Sequence, residues 1–181
     1  YQKILEQHGG TVVPVLMDSG QDAKYQMSGI QGLLVLEWSL DPFVIPLLKD
    51  VLERDMPVLA VNQGMYALNM VLGGGDPEDV SGHSVAQSED SESAYHRIFI
   101  TPGSKMAAII GSGGFVRVNS RHLQGLTERQ RSPHLMASAY ALDDGIIEGL
   151  ESPGHDWVIG VQFSPDRRME LPPHFDRLFQ G

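Results

Sequence analysis

With 181 residues, 41% apolar and 20% charged, the chain suits a single domain with a substantial core and has the ordinary composition of a globular protein. Thirteen basic residues against 23 acidic ones give a formal charge of −10, which repels phosphate backbones and argues against nucleic-acid binding. The absence of cysteine excludes a disulfide framework, a thiolate metal site and a thiol nucleophile, and no apolar stretch is long enough to cross a bilayer.

Residues 1–8 read as a helix with Ile4 and Leu5 on one face, stopped at Gly9-Gly10. Residues 11–17, rich in β-branched side chains, read as a strand. The run within 28–36 has the continuous apolar character of a parallel strand covered on both faces. A helix follows over 42–54, with Asp41 as its N-cap and Val44, Leu47, Leu48, Val51 and Leu52 on the buried stripe. Pro57 to Val61 is a short strand-type run, and Met65, Leu68, Asn69 and Leu72 recur at helical spacing after it. The sharp turn between them, Asn62-Gln63-Gly64, lifts one side chain clear of the sheet, and asparagine tolerates the positive φ such a turn imposes.

Downstream, 73–93 is glycine-rich and acidic and reads as a surface excursion. Shorter strands are expected at 96–101, 114–119, 137–141, 146–151 and 157–163, with turns at Pro102-Gly-Ser-Lys and Asp143-Asp-Gly. Early alternation of strands with helices, then strands joined by turns, predicts a mostly parallel sheet with antiparallel additions in a three-layer α/β/α sandwich. We find no internal repeat and no linker, so residues 1–181 read as one domain. The two densest basic stretches, at 129–131 and 167–168, lack interleaved aromatics and read as solvated surface.

The elbow segment resembles the nucleophile elbow of class I glutamine amidotransferases, in the gamma-glutamyl-gamma-aminobutyrate hydrolase branch, whose pattern is P-x-L-G-I-C-R-G-x-Q-x-L-N-V-x-x-G-G. Gly64, Leu68, Asn69, Gly73 and Gly74 match it, while Asn62 stands at the Cys, Gln63 at the Arg and Tyr66 at the Gln. Val118-Asn-Ser-Arg-His-Leu-Gln124 is similar to V-N-S-x-H-H-Q, and Gly160-Val-Gln-Phe-Ser-Pro-Asp166 to G-V-Q-W-H-P-E. The resemblance implies a flavodoxin-like sandwich with Asn62, Ser164 and Asp166 at the positions of the catalytic Cys, His and acid. It further implies that Gln63, His122 and Gln124 help form a substrate pocket. Relatives also carry a strand before the first helix and a G-G-x-D-x-x-P loop, where this chain has Glu37-Trp-Ser-Leu-Asp-Pro42. That strand and the loop near 37–41 are expected to be missing from this sequence rather than deleted from the protein.

In such enzymes the thiolate attacks an amide carbon, the His shuttles protons and the acid orients the His. A neutral carboxamide at Asn62 and a hydroxyl at Ser164 do not supply that chemistry. The leading expectation is therefore a catalytically degenerate, cytoplasmic member that binds a small amide or carboxylate ligand or serves in regulation or assembly, as a homo-oligomer or a subunit of an enzyme complex. The alternatives are an active gamma-glutamyl hydrolase or amidotransferase with unorthodox residues, and a purely structural subunit. Ser120 and His122, two apart on an extended segment, share a face and can be a new nucleophile pair, pocket lining or structural residues. His8, His83, His96, His122, His134, His155 and His174 look scattered, without H-x-H or H-E-x-x-H spacing, so no metal and no cofactor is expected. Glu148 falls in Asp144-Gly-Ile-Ile-Glu148, a match to the family's D-G-x-x-E that reads first as turn and strand.

Overall fold

The structure, a computed structural model, describes residues 1–14, 29–36, 44–84 and 92–180. Its helices are α1 (Gln2–Gln7), α2 (Val44–Glu53), α3 (Gln63–Val71) and α4 (Lys105–Ile110), followed by a C-terminal 3₁₀ helix, Pro173–Phe179. The strands are β1 (Leu33–Val35), β2 (Val58–Val61), β3 (Glu78–Asp79), β4 (Ala94–Ile100), β5 (Gly114–Ser120), β6 (Gln124–Gly125), β7 (Met136–Ala141), β8 (Ile147–Glu151) and β9 (Val158–Val161). Seven of them form one sheet in the order β1-β2-β9-β8-β7-β4-β5, and β3 pairs with β6 apart from it. The β1–β2 and β2–β9 ladders are parallel. The other four are antiparallel, a larger share than the sequence pattern predicts.

Side chains on a strand alternate between faces, and β2 shows what that does here. Val58 and Ala60 pack into a core with Leu48 and Val51 of α2 and Met65, Ala67 and Leu68 of α3. Leu59 and Val61 face the opposite core, shared with Ile4 of α1, Met106 and Ile110 of α4, and Phe175 and Leu178 of the 3₁₀ helix. All four β2 residues are buried, so the strand is the middle layer of the expected sandwich. Burial of each large apolar side chain contributes roughly 1.5–3 kcal/mol.

Several elements differ from the sequence expectation. Residues 11–14 form no strand: Pro14 lacks an N–H, and these residues pair with no described strand, while 15–17 lie outside the described residues. Of the strand expected over 28–36, the described residues 29–36 hold Leu33–Val35, preceded by Gly29 at φ 82°. The second helix begins at Val44 and buries all five stripe residues; the proposed cap Asp41 lies outside the described residues. The turn at Pro102-Gly103 leads directly into α4, a helix that the sequence pattern does not predict. Ser104 caps that helix by accepting a hydrogen bond from the Ala107 amide at 3.0 Å, and Gly111 ends it in the left-handed region. The excursion at 73–93 contains the short strand β3. Among the described residues no helix is long and apolar enough to cross a membrane.

Candidate functional site

Asn62 caps α3 at φ 52° and ψ −115°, a backbone conformation that costs energy for a residue with a Cβ. Its amide donates to the Val161 carbonyl at 2.8 Å, which ties the turn to the end of β9. The turn is this tight because its neighbours are small. A Cβ on Gly64 would fall against the Val35 carbonyl, and one on Gly160 would come within 2.7 Å of the Met65 Cγ. Past the helix, buried Asn69 donates to the carbonyls of Gly75 (3.0 Å) and Gln130 (2.9 Å) and accepts from the Ser132 amide (2.8 Å). One side chain thus fastens the glycine stop after α3 to the loop before β7.

A pocket of about 650 Å³ opens over the elbow. Asn62, Gln63, His122, Gln124 and Ser164 all line it, with Tyr1, Tyr66, Asp79 and Arg121. Asp166 does not line it. Its carboxyl is approached by the Tyr1 hydroxyl, which also contacts Ser164; burial first, and the Asp166 charge second, push that hydroxyl's pKa up. Asn119 fixes Ser164 by accepting from its amide at 2.8 Å and donating to its carbonyl at 3.1 Å. Gln162 donates to Asn62 Oδ1 at 3.2 Å, so the carboxamide at the apex is already engaged. The opposite wall is held by Tyr66, whose hydroxyl donates to the Gln124 carbonyl.

Three of the seven histidines are not scattered, which corrects the sequence expectation for them. His83, His96 and His122, from three separate segments, converge on Glu148 of β8, whose Oε1 lies 3.5 Å, 3.2 Å and 3.4 Å from His83 Nδ1, His96 Nε2 and His122 Nε2. Glu148 is fully buried. Burial alone would raise its pKa, but the His122, His83 and His96 imidazoles gathered against it hold it well below the usual carboxylate range. His83 is pulled down by burial and more strongly up by Glu148 and Asp144, with a net rise. Ser120 sits beside this cluster, its Oγ donating to the His83 carbonyl at 2.7 Å, and Ser120 is absent from the pocket lining. The cluster is invisible to local sequence patterns because antiparallel pairing brings together residues that no spacing links. The one available signal was a charged residue, Glu148, inside the apolar run of β8.

The family profile described as Peptidase C26 matches residues 36–166, which span the elbow, the His122 segment and the end of β9. The chain belongs to the Peptidase C26 family. A Mycobacterium tuberculosis protein provisionally named a glutamine amidotransferase is 32% identical over 133 residues, covering 72% of this chain and 42% of that protein. Protein NtpR of Enterococcus hirae is 31% identical over 162 residues, covering 84% and 66%. A gamma-glutamyl-gamma-aminobutyrate hydrolase of Escherichia coli is 26% identical over 135 residues, covering 70% and 52%. The chain thus spans from under half to about two thirds of the length of these relatives. The glutaminase domain of Trypanosoma brucei CTPS, solved with bound acivicin, superposes with a TM-score of 0.73 at 15% identity, over 97% of this chain and 84% of that one. At that identity the likeness establishes the shared fold.

Within a Peptidase C26 fold, then, the elbow of this chain presents a carboxamide, and the end of β9 presents a hydroxyl. The basic stretches beside these elements are neutralised locally: Arg131 pairs with Glu128 at 2.7 Å, Arg167 with Glu170 at 3.0 Å, and Arg129 with Glu78.

Proposed function

We propose that this chain is a catalytically silent member of its family whose pocket binds a small amide or carboxylate compound, in a regulatory or assembly role. The observation that carries the reading is the residue at the elbow apex: Asn62, in a chain with no cysteine, with its Oδ1 held by Gln162. An amide nitrogen is a negligible nucleophile near neutral pH, and no imidazole stands at Ser164 to activate anything bound above it. The rest of the pocket suits binding. Gln63, Gln124 and Arg121 offer amide and guanidinium groups to a compound of glutamine size.

Two measurements on the unmodified protein test this. Calorimetric titration with glutamine and gamma-glutamyl amides should detect binding, and ammonia release from the same panel should stay at the buffer rate. Because triad members act as a unit, installing either N62C or S164H alone should restore nothing measurable. Ammonia release by the unmodified protein that disappears in Asn62→Ala would establish an active hydrolase with unorthodox residues instead.

A further inference from the structure

We propose that His83, His96, His122 and Glu148 form a closed four-ligand site for a divalent transition-metal ion of the zinc type, beside the pocket and separate from the elbow. The ligand atoms of His83, His96 and Glu148 all lie within 4.8 Å of one another. His122 Nε2 joins them, 3.1 Å from His83 Nδ1 and 3.4 Å from Glu148 Oε1. Four nitrogen or oxygen ligands around zinc, at bond lengths of about 2.0–2.2 Å, stand roughly 3.3–3.5 Å apart at the edges of a tetrahedron. Four of the six edges of such a site, 3.1, 3.2, 3.4 and 3.5 Å, follow that scale, while His122 stands outside the group of three whose ligand atoms are all mutually close, so the His122–His96 edge has to shorten as the ion binds.

The surrounding hydrogen bonds decide which way the lone pairs point. His122 Nδ1 lies 2.7 Å from the Gln124 carbonyl, which can only accept, so Nδ1 carries the proton and the neutral ring turns a bare Nε2 inward. His83 Nε2 lies 2.8 Å from an Asp144 carboxylate oxygen, so in the neutral ring its inward Nδ1 is likewise bare. Ser120 cannot supply the missing proton, since its hydroxyl is donated to the His83 carbonyl. Two imidazole lone pairs therefore meet each other and a carboxylate. Both Glu148 oxygens and His96 Nε2 are buried without a hydrogen-bond partner that meets geometric criteria.

Such a convergence of acceptors is repulsive unless a positive charge sits among them, either an extra proton on His83 or a metal ion. A carbonyl and a carboxylate orienting the far nitrogens of metal-bound imidazoles is the usual supporting arrangement. Imidazole-rich donors select zinc or a neighbouring ion over calcium or magnesium. Three neutral rings and one carboxylate leave a divalent ion a net charge of +1, which Asp144 faces through His83. With four protein ligands and almost no exposure, the ion would be structural, joining β4, β8 and the segment after β5 that carries the pocket wall.

The test uses the whole chain, stripped with a chelator, dialysed and titrated with Co(II), whose visible spectrum reports coordination number. One equivalent per chain, the intense bands of a four-coordinate ion and displacement by zinc are expected. Glu148→Gln and His96→Asn, checked for folding by circular dichroism, should each weaken binding at least roughly tenfold, whereas His134→Ala should leave it unchanged. Cobalt uptake by the unmodified protein remains decisive even where a variant misfolds. If it takes up no cobalt, or gives only the pale spectrum of a six-coordinate ion, the site is a proton-sharing histidine–carboxylate cluster and the proposal is wrong. Binding that persists in folded Glu148→Gln and His96→Asn alike overturns it equally.

Discussion

Gly64 shows how little room the elbow leaves. Replacing it with alanine would ordinarily favour a helix by about 1 kcal/mol, but here the new methyl group meets the Val35 carbonyl, backbone that cannot rotate away. We expect Gly64→Ala to destabilise the protein by about 1–3 kcal/mol net, measured as a lower urea midpoint at unchanged slope. A midpoint at or above that of the parent would mean that β1 yields, and that the turn is not constrained from that side. Asn62 is different, because its strain arises within its own backbone and Cβ and not against a neighbouring element. Glycine adopts positive φ without a Cβ penalty, so Asn62→Gly should raise stability by roughly 1 kcal/mol, less the bond to Gln162. A fall of similar size would show that this hydrogen bond outweighs the strain.

Among the elements, α3 and its exit depend on Asn69. Asn69→Ala leaves the buried Ser132 amide without its partner, at a cost on the order of 1–3 kcal/mol, while the Gln130 carbonyl keeps its bond from the Gly75 amide. Asn69→Asp should not rescue it, since a carboxylate keeps the acceptor for Ser132 but repels the carbonyls of Gly75 and Gln130. Amide hydrogen exchange should locate the damage at residues 72–76 and 130–132; protection lost uniformly instead would argue against a local clasp. The α3 segment was legible in the sequence because its signals are local: a β-type apolar run, a turn residue tolerant of positive φ, then helical periodicity. The helix α4 was not, because Lys105–Ile110 is too short for periodicity to show and only the Ser104 cap announces it. The histidine–glutamate cluster was illegible for another reason. Glu148 and His96 meet only because β4 pairs with β7 and β7 with β8, and pairing order is not written in any one segment. Five of the six site residues named from the sequence line one pocket, since two of the three motifs end strands or begin helices at the same sheet edge.

At the scale of the molecule, the C-terminal segment is tied down by Glu170, which accepts from Ser93 Oγ at 2.7 Å and pairs with Arg167 at 3.0 Å. Burial works against its charge, but Ser93 and Arg167 prevail and its pKa is lowered from the model-compound value of 4.5. A carboxyl with a depressed folded pKa contributes stability above its unfolded pKa and loses it as pH falls through the folded one. Glu170→Gln should therefore cost about 1 kcal/mol near neutrality, with the difference from the parent shrinking below pH 4.5. Denaturant unfolding across that range checks it; a constant gap would assign the effect to packing instead of charge.

The position of β9 has a consequence for how the chain comes to be folded. It follows every other described strand of the sheet in the chain, yet it lies between β2 and β8 and, among the described strands, joins the parallel ones to the antiparallel ones. Val58 must wait for Val158, a hundred positions further along the chain. Until then the β2 and β8 edges that β9 will cover each present a row of unpaired backbone N–H and C=O groups. Such edges pair with whatever strand they meet. Pairing of Val158–Val161 with both neighbours is thus the step that closes two exposed edges at once and makes one sheet of two.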